Sequence, residues 1–443
     1  MRLSVEPRCS GTPWARHFRL AFGVCSLAVL LACGGGGSTP APVIERFQAD
    51  QTQVEVGSEV NLEAKFSHGT GVVDNQGGVL PGSGIVKVSP VGTTTYTLTV
   101  TNDRGEKAQR STTVIVNPGL VVTVEAPEGV TGEVTVNGPD GFNRMVNKSE
   151  VLTGLKAGRY TLAAAPVKRE DATFHPWRPV QEVDVQTGTP VKVSYTPSTL
   201  SLQLPGAVPL DFVLIPAGQF TMGYDNPACP RRFPKQSPSH QVTIHRAFYL
   251  AKFPTSQGQW QAIMGNNPSP RANSNYAVNS VSYETIKKEF LPKIGKMFPE
   301  LAFRLPSEAE WEYAYRAGTT TNFFFGDDEL KAGAFAWTID AYRMQEHPVG
   351  MKLPNPWGLH DLTGLVFQWC EDMAHDGYTG APLDGSPWMA PGPDAREGER
   401  ILRGYPPMAI TGSLRYGSSA DRWSRNKSEE DEYIGFRLVA THN

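Results

Sequence analysis

Arg304-Leu305-Pro306-Ser307-Glu308-Ala309-Glu310-Trp311-Glu312-Tyr313-Ala314 reads as a turn that opens a helix. Ser307 and Glu310 have capping-box spacing, in which the hydroxyl and the carboxylate each satisfy an orphan backbone amide. The helix runs on through Tyr315-Arg316, and Gly318 is the expected cap, because glycine enters the left-handed region freely. A second helix is expected from Ser282-Tyr283-Glu284 toward Met297. Long irregular stretches surround both, and seven of the nine tryptophans lie beyond residue 200. Upstream the texture differs. Val54, Val56, Val60, Leu62, Ala64 and Phe66 keep a period of two, and Tyr96, Leu98 and Val100 repeat it. Strands are expected at Thr95–Thr101, Thr112–Val116, Leu120–Val124, Glu133–Val136, Arg159–Leu162, Glu182–Val185 and Val191–Tyr195. Short strands with frequent turn residues point to β sandwiches.

The chain has 443 residues, 40% hydrophobic and 19% charged, with a net charge of −3. That content excludes disorder as the main state, and the lack of a basic surplus argues against nucleic acid as a partner. Arg2, Arg8, Arg16 and Arg19 precede an apolar run from Leu20 to Ala32. The run has signal-peptide length and is too short to cross about 30 Å of hydrocarbon. It ends Leu30-Leu31-Ala32-Cys33, which resembles a bacterial lipobox, and Gly34–Gly37 follow as a tether. Lipidation at Cys33 is therefore expected, with the membrane as partner through the lipid. Gly34 after Cys33 favours the outer membrane, by analogy with enteric sorting. Cys229 and Cys370 remain either as one disulfide or as two buried thiols.

The helix stretch is one of several ordered blocks. The others are Phe212-Val213-Leu214-Ile215-Pro216-Ala217-Gly218 through Gly223, His240-Gln241-Val242, Ala247–Leu250, Asn355-Pro356-Trp357-Gly358-Leu359-His360-Asp361-Leu362-Thr363-Gly364, Arg403-Gly404 and Gly435-Phe436-Arg437-Leu438. Together they resemble the formylglycine-generating enzyme, or sulfatase-modifying factor, family. The resemblance implies a fold related to C-type lectins. The chain is thus read as two all-β sandwiches followed by an α+β C-type-lectin-like domain with much irregular coil. The expected division is a signal peptide (1–32), a tether (33–41), an Ig-like sandwich (42–118), a second sandwich of PEGA-like or carbohydrate-binding-like type (119–198) and the family domain (208–441). Trp177 beside His175 reads as a core tryptophan rather than a ligand platform. Arg304 and Arg437 read as ion-pair or carbonyl-binding residues.

The resemblance implies a copper(I) site of two cysteines just after an R-G-G-S turn, since soft thiolates suit that ion. Here the block reads Arg403-Gly404-Tyr405-Pro406-Pro407-Met408-Ala409-Ile410-Thr411-Gly412-Ser413-Leu414-Arg415-Tyr416, without cysteine. Met408 is a single thioether, a weak ligand alone. The family's G-N-V-W-E-W has become Gly364-Leu365-Val366-Phe367-Gln368-Trp369, which lacks the charge a calcium ion prefers. No cofactor and no metal site are expected. Arg403, Tyr405, Tyr416, Arg422 and Trp423 are the candidate binding face, for a peptide, a glycan or an envelope protein. The rival readings are an active oxidoreductase of the family, or one using another metal, and a structural spacer.

Overall fold

The computed structural model describes residues 40–442 except 76, 171, 226–233, 338–345 and 407–416. Cys33, the expected signal segment (1–32), Cys229, Met408 and Tyr416 lie outside the described residues.

The first unit packs the sheet Val43–Ala49, Val60–Ser67, Gly84–Val88 against a five-stranded sheet centred on Lys107–Val116 and Thr94–Thr101. Val60, Leu62, Ala64 and Phe66 enter its core, as do Tyr96, Leu98 and Val100. The alternation that marks these strands is the alternation that buries one face. The second unit has a four-stranded and a five-stranded sheet, with Gly158–Ala164 and Thr189–Pro197 as central strands. All seven expected strands coincide with observed ones or overlap them.

No slack separates the units. Asn117 Nδ2 donates to Glu55 Oε1 at 2.7 Å and the Gly154 amide to Glu55 Oε2 at 3.2 Å. Gly188 passes so close to the Val91 carbonyl that a Cβ would lie 1.7 Å from its oxygen, which only glycine allows. At the next joint Thr196 and Tyr249 share a hydroxyl hydrogen bond. The Tyr249 hydroxyl donates to the Pro197 carbonyl at 2.8 Å, and the Ala247 amide to the Trp177 carbonyl at 3.0 Å.

The last unit holds an antiparallel sheet in the order Thr199–Leu204, Val208–Ile215, Phe248–Ala251, Val439–His442, Leu301–Arg304. A second sheet runs Trp423–Asn426, Ala395–Arg403, Phe367–His375, Ile434–Phe436. The Glu308–Arg316 helix carries the capping box expected of Ser307 and Glu310. Its left-handed cap is Ala317 (φ 45°), one residue before the expected Gly318. The Ser282 helix reaches Met297 as expected, but through a π-helical turn at Ile286–Phe290. A further helix, Gln257–Met264, has its own capping box from Ser256 and Gln259. Trp260 stacks on Phe290 with ring centroids 5.1 Å apart, and Phe436 meets Phe290 edge-on at 5.1 Å. Such aromatic pairs supply much of a core's burial. Among the described residues no helix is long and apolar enough to cross a membrane.

Candidate functional site

Every residue of the Glu308–Arg316 helix is buried, four of them charged. The capping box fixes its first turn, and Arg304 holds Glu310 from outside with two 2.6 Å hydrogen bonds. Glu308 and Glu312 then point inward at two guanidiniums from the far end of the chain. Arg422 grips Glu308 bidentately, both bonds 2.7 Å. Arg403 reaches Glu312 Oε2 at 2.6 Å and Glu308 Oε1 at 3.4 Å. Glu312 Oε1 also accepts from Arg316 Nη2 at 2.8 Å and from the Gly223 amide at 3.0 Å. Burial alone would raise the Glu312 carboxyl, but Arg316 and Arg403 overcome it and leave it below the ordinary range. Most of the remaining guanidinium donors go to coil, while Arg403 Nε has no hydrogen-bond partner. Arg403 donates to the Ser419, Ala420 and Asp421 carbonyls, and Arg422 to those of Lys235, His375 and Gly377. Irregular backbone at depth needs such donors.

This corrects the expected binding face. Arg403 is wholly buried, Arg422 is 6% exposed and Tyr405 is 7% exposed. Trp423 is half-buried against Phe367 and Tyr405, and Tyr416 lies outside the described residues. The cause is the pair of inward carboxylates on the capped helix, which draw both guanidiniums into the core. Arg437 binds carbonyls as read, donating to Ala251 and His360 at 2.6 Å each, while burial lowers its guanidinium to about 9.

Cys370 and Gln368 bear on the metals that the resemblance implies. Cys370 is a free, wholly buried thiol, in keeping with the second of the two alternatives for it, while Cys229 lies outside the described residues. Burial, then Asp372 and Glu308, push that thiol up, away from the thiolate that copper(I) requires. Gln368 stands where calcium chemistry would need a carboxylate. Its Oε1 accepts from Trp311 Nε1 at 2.9 Å and Arg437 Nε at 3.1 Å, and its Nε2 donates to the Asp361 carbonyl at 2.9 Å. That oxygen already accepts two hydrogen bonds, and the guanidinium charge beside it would repel a cation. His360 and His375 turn ring nitrogens to backbone carbonyls at 2.8–3.1 Å, and His240 does so at 3.2 Å. Among the described residues no three His, Cys, Asp or Glu side chains gather as metal ligands.

Asp372 and Asp361 are among the buried acids outside these pairs. Asp372 accepts from the Glu308 amide at 2.7 Å and the Trp388 amide at 2.8 Å, while burial and the Glu308 charge push it up to about 7. Asp361 accepts from the Gly350 amide at 2.6 Å, its other oxygen has no hydrogen-bond partner, and burial pushes it up to about 6.

A groove of about 540 Å³ lies open beside the helix C-terminus. Gln219, Gln241, Thr319 and Thr320 give it uncharged donors and acceptors, Phe220 and Tyr313 give it ring surface, and Asp225 and Arg316 line it with opposite charges. Burial pushes the Tyr313 hydroxyl up to about 12, so it stays a neutral donor. Gly218 makes room for that hydroxyl, since a Cβ there would lie 2.3 Å from it. Sequence reasoning missed the groove, because its lining comes from three separate segments.

A family model for the sulfatase-modifying factor enzyme 1-like domain matches residues 205–442. The chain belongs to the sulfatase-modifying factor family. Relatives include a serine/threonine-protein kinase, pkn1, of Chlamydia pneumoniae, 31% identical over 32% of this chain and 21% of its own length. Chaperone protein LppX of Paenibacillus barcinonensis is 26% identical over 36% of this chain and 70% of its own. The formylglycine-generating enzyme of Streptomyces coelicolor is 29% identical over 31% of this chain and 46% of its own. The chain therefore spans about a fifth of the kinase's length and under half of the enzyme's. Among solved structures, PvdO from Pseudomonas aeruginosa is 27% identical, with a TM-score of 0.48 over 54% of this chain and 97% of its own.

Proposed function

We propose that this chain is a lipid-anchored protein of the bacterial envelope whose family domain binds a peptide, a glycan or an envelope protein and does not make formylglycine.

 The observation that carries the reading is the fate of the charged residues. The Arg403 and Arg422 guanidiniums hold Glu308 and Glu312 inside the core, so the scaffold is kept. The block from 403 to 416 has no cysteine, and Cys370 is sealed beneath the sheet. The groove beside Tyr313 offers neutral hydrogen-bonding groups and ring surface, which suit a peptide main chain or a glycan. The lipobox-like Leu30–Cys33 and its glycine tether support the anchor, and likeness to a protein named as a chaperone agrees with a binding role. Likeness to a formylglycine-generating enzyme favours the oxidase as second reading, and that reading needs a thiol pair.

Copper(I) titration of the full chain without its signal segment, against a chromophoric copper(I) chelator, separates the two. The expected result is that the chelator keeps the metal. One equivalent of copper withdrawn by the protein contradicts the proposal.

A further inference from the structure

The seam between the second sandwich and the family domain is itself cleft. Trp177 stands in the turn after Ala172–Pro176, and its ring meets Tyr249 at 6.1 Å and His442 at 5.5 Å. It is half-buried and packs against the core of the family domain, so the reading of it as a core residue holds in part. Two clefts, of about 650 and 620 Å³, share Trp177, Lys192, Ser194 and Arg246 as walls. Each volume is that of an ordinary small-ligand site.

The charges are unevenly matched. Lys192 pairs with Glu125 at 2.6 Å, and Glu182 pairs with Arg159 at 3.5 Å. Those pairs occupy both acids that line the clefts. Arg178 and Arg246 are exposed and have no ion pair among the described residues, and His245 lies beside them. Burial and then the charge of Arg246 lower the Arg178 guanidinium, as expected of like charges held close without a counter-charge. Elsewhere in the chain, buried guanidiniums are met by carboxylates or carbonyls. Here two face open space beside an indole.

We propose that this cleft binds an acidic sugar, its carboxylate or sulfate held between Arg178 and Arg246 and its ring face laid on Trp177. A guanidinium pair fits a planar or tetrahedral oxyanion with several donors at once. The indole supplies flat apolar area, and the Ser194 hydroxyl and Gln181 amide line the same space for the sugar hydroxyls. The site is separate from the groove beside Tyr313 and stands whether or not the family domain oxidises anything.

The test is calorimetric titration of the full chain without its signal segment. The probes are trigalacturonate, maltotriose and sulfated maltotriose, with phosphatidylglycerol vesicles as a further arm. At least one acidic sugar should bind, with neutral maltotriose weaker by about tenfold or more. Added salt should weaken that binding. The double variant Arg178→Ala, Arg246→Ala should lose about tenfold or more in affinity while its melting temperature stays unchanged, because both side chains are exposed and unpaired. Trp177→Phe keeps a ring at the seam and should weaken binding less. Binding of neither acidic sugar overturns the proposal, as does equal affinity in the double variant. Capture by the vesicles alone overturns it in favour of a lipid surface.

Discussion

Arg403 and Arg178 carry the same group in opposite surroundings. Arg403 is sealed in the family domain, where two carboxylates and three carbonyls use its donors. Arg178 lies open at the seam, beside Arg246 and without an ion pair among the described residues. A guanidinium whose charge is met by carboxylates and carbonyls inside the protein is architecture. One left without a partner, next to a second, is available to a ligand.

The sharpest way to break this contrast is to remove each charge. Arg403→Ala leaves Glu312 buried with one partner fewer, and losing one member of a buried pair costs about 3–5 kcal/mol. Urea denaturation should show that loss in the family domain. The Arg178→Ala, Arg246→Ala variant should change stability by less than about 0.5 kcal/mol, the range for exposed positions. Similar losses in both would erase the distinction.

A smaller effect concerns Asp361, which has one unpartnered oxygen and is pushed up to about 6 from 3.8. The folded state holds that proton more tightly than the unfolded chain does. The contribution is therefore full below about pH 4 and lost as pH rises through about 6. Asp361→Asn keeps an oxygen for the Gly350 amide and cannot ionise. Stability measured from pH 4 to 7 should fall less steeply in this variant. An unchanged slope would remove Asp361 from the account.

Much of the fold was legible in local signals. The Ser307–Glu310 box placed one helix, and alternation in Val60–Phe66 placed a strand with its buried face. The Gln257–Met264 helix carried the same kind of signal, Ser256 with Gln259 three residues on and Gly265 as cap, and went unread. The π turn at Ile286–Phe290 left no mark, because its residues suit an α-helix equally well. The site was less legible than the fold. Glu308 lies 114 residues from Arg422, and no spacing rule links them. Arg403 and Arg422 were assigned to a surface because the sequence shows their charge and not their partners. The seam cleft combines residues near 125, 178, 192 and 246, which only the packing of two units brings together.

The central claim is that the family scaffold persists without its oxidation chemistry. The most direct test incubates the full chain, without its signal segment, with copper(I), oxygen and a peptide bearing a sulfatase-type cysteine motif, and follows the peptide by mass spectrometry. The account predicts that the cysteine remains unconverted. Formation of formylglycine at a rate that scales with protein concentration would contradict it.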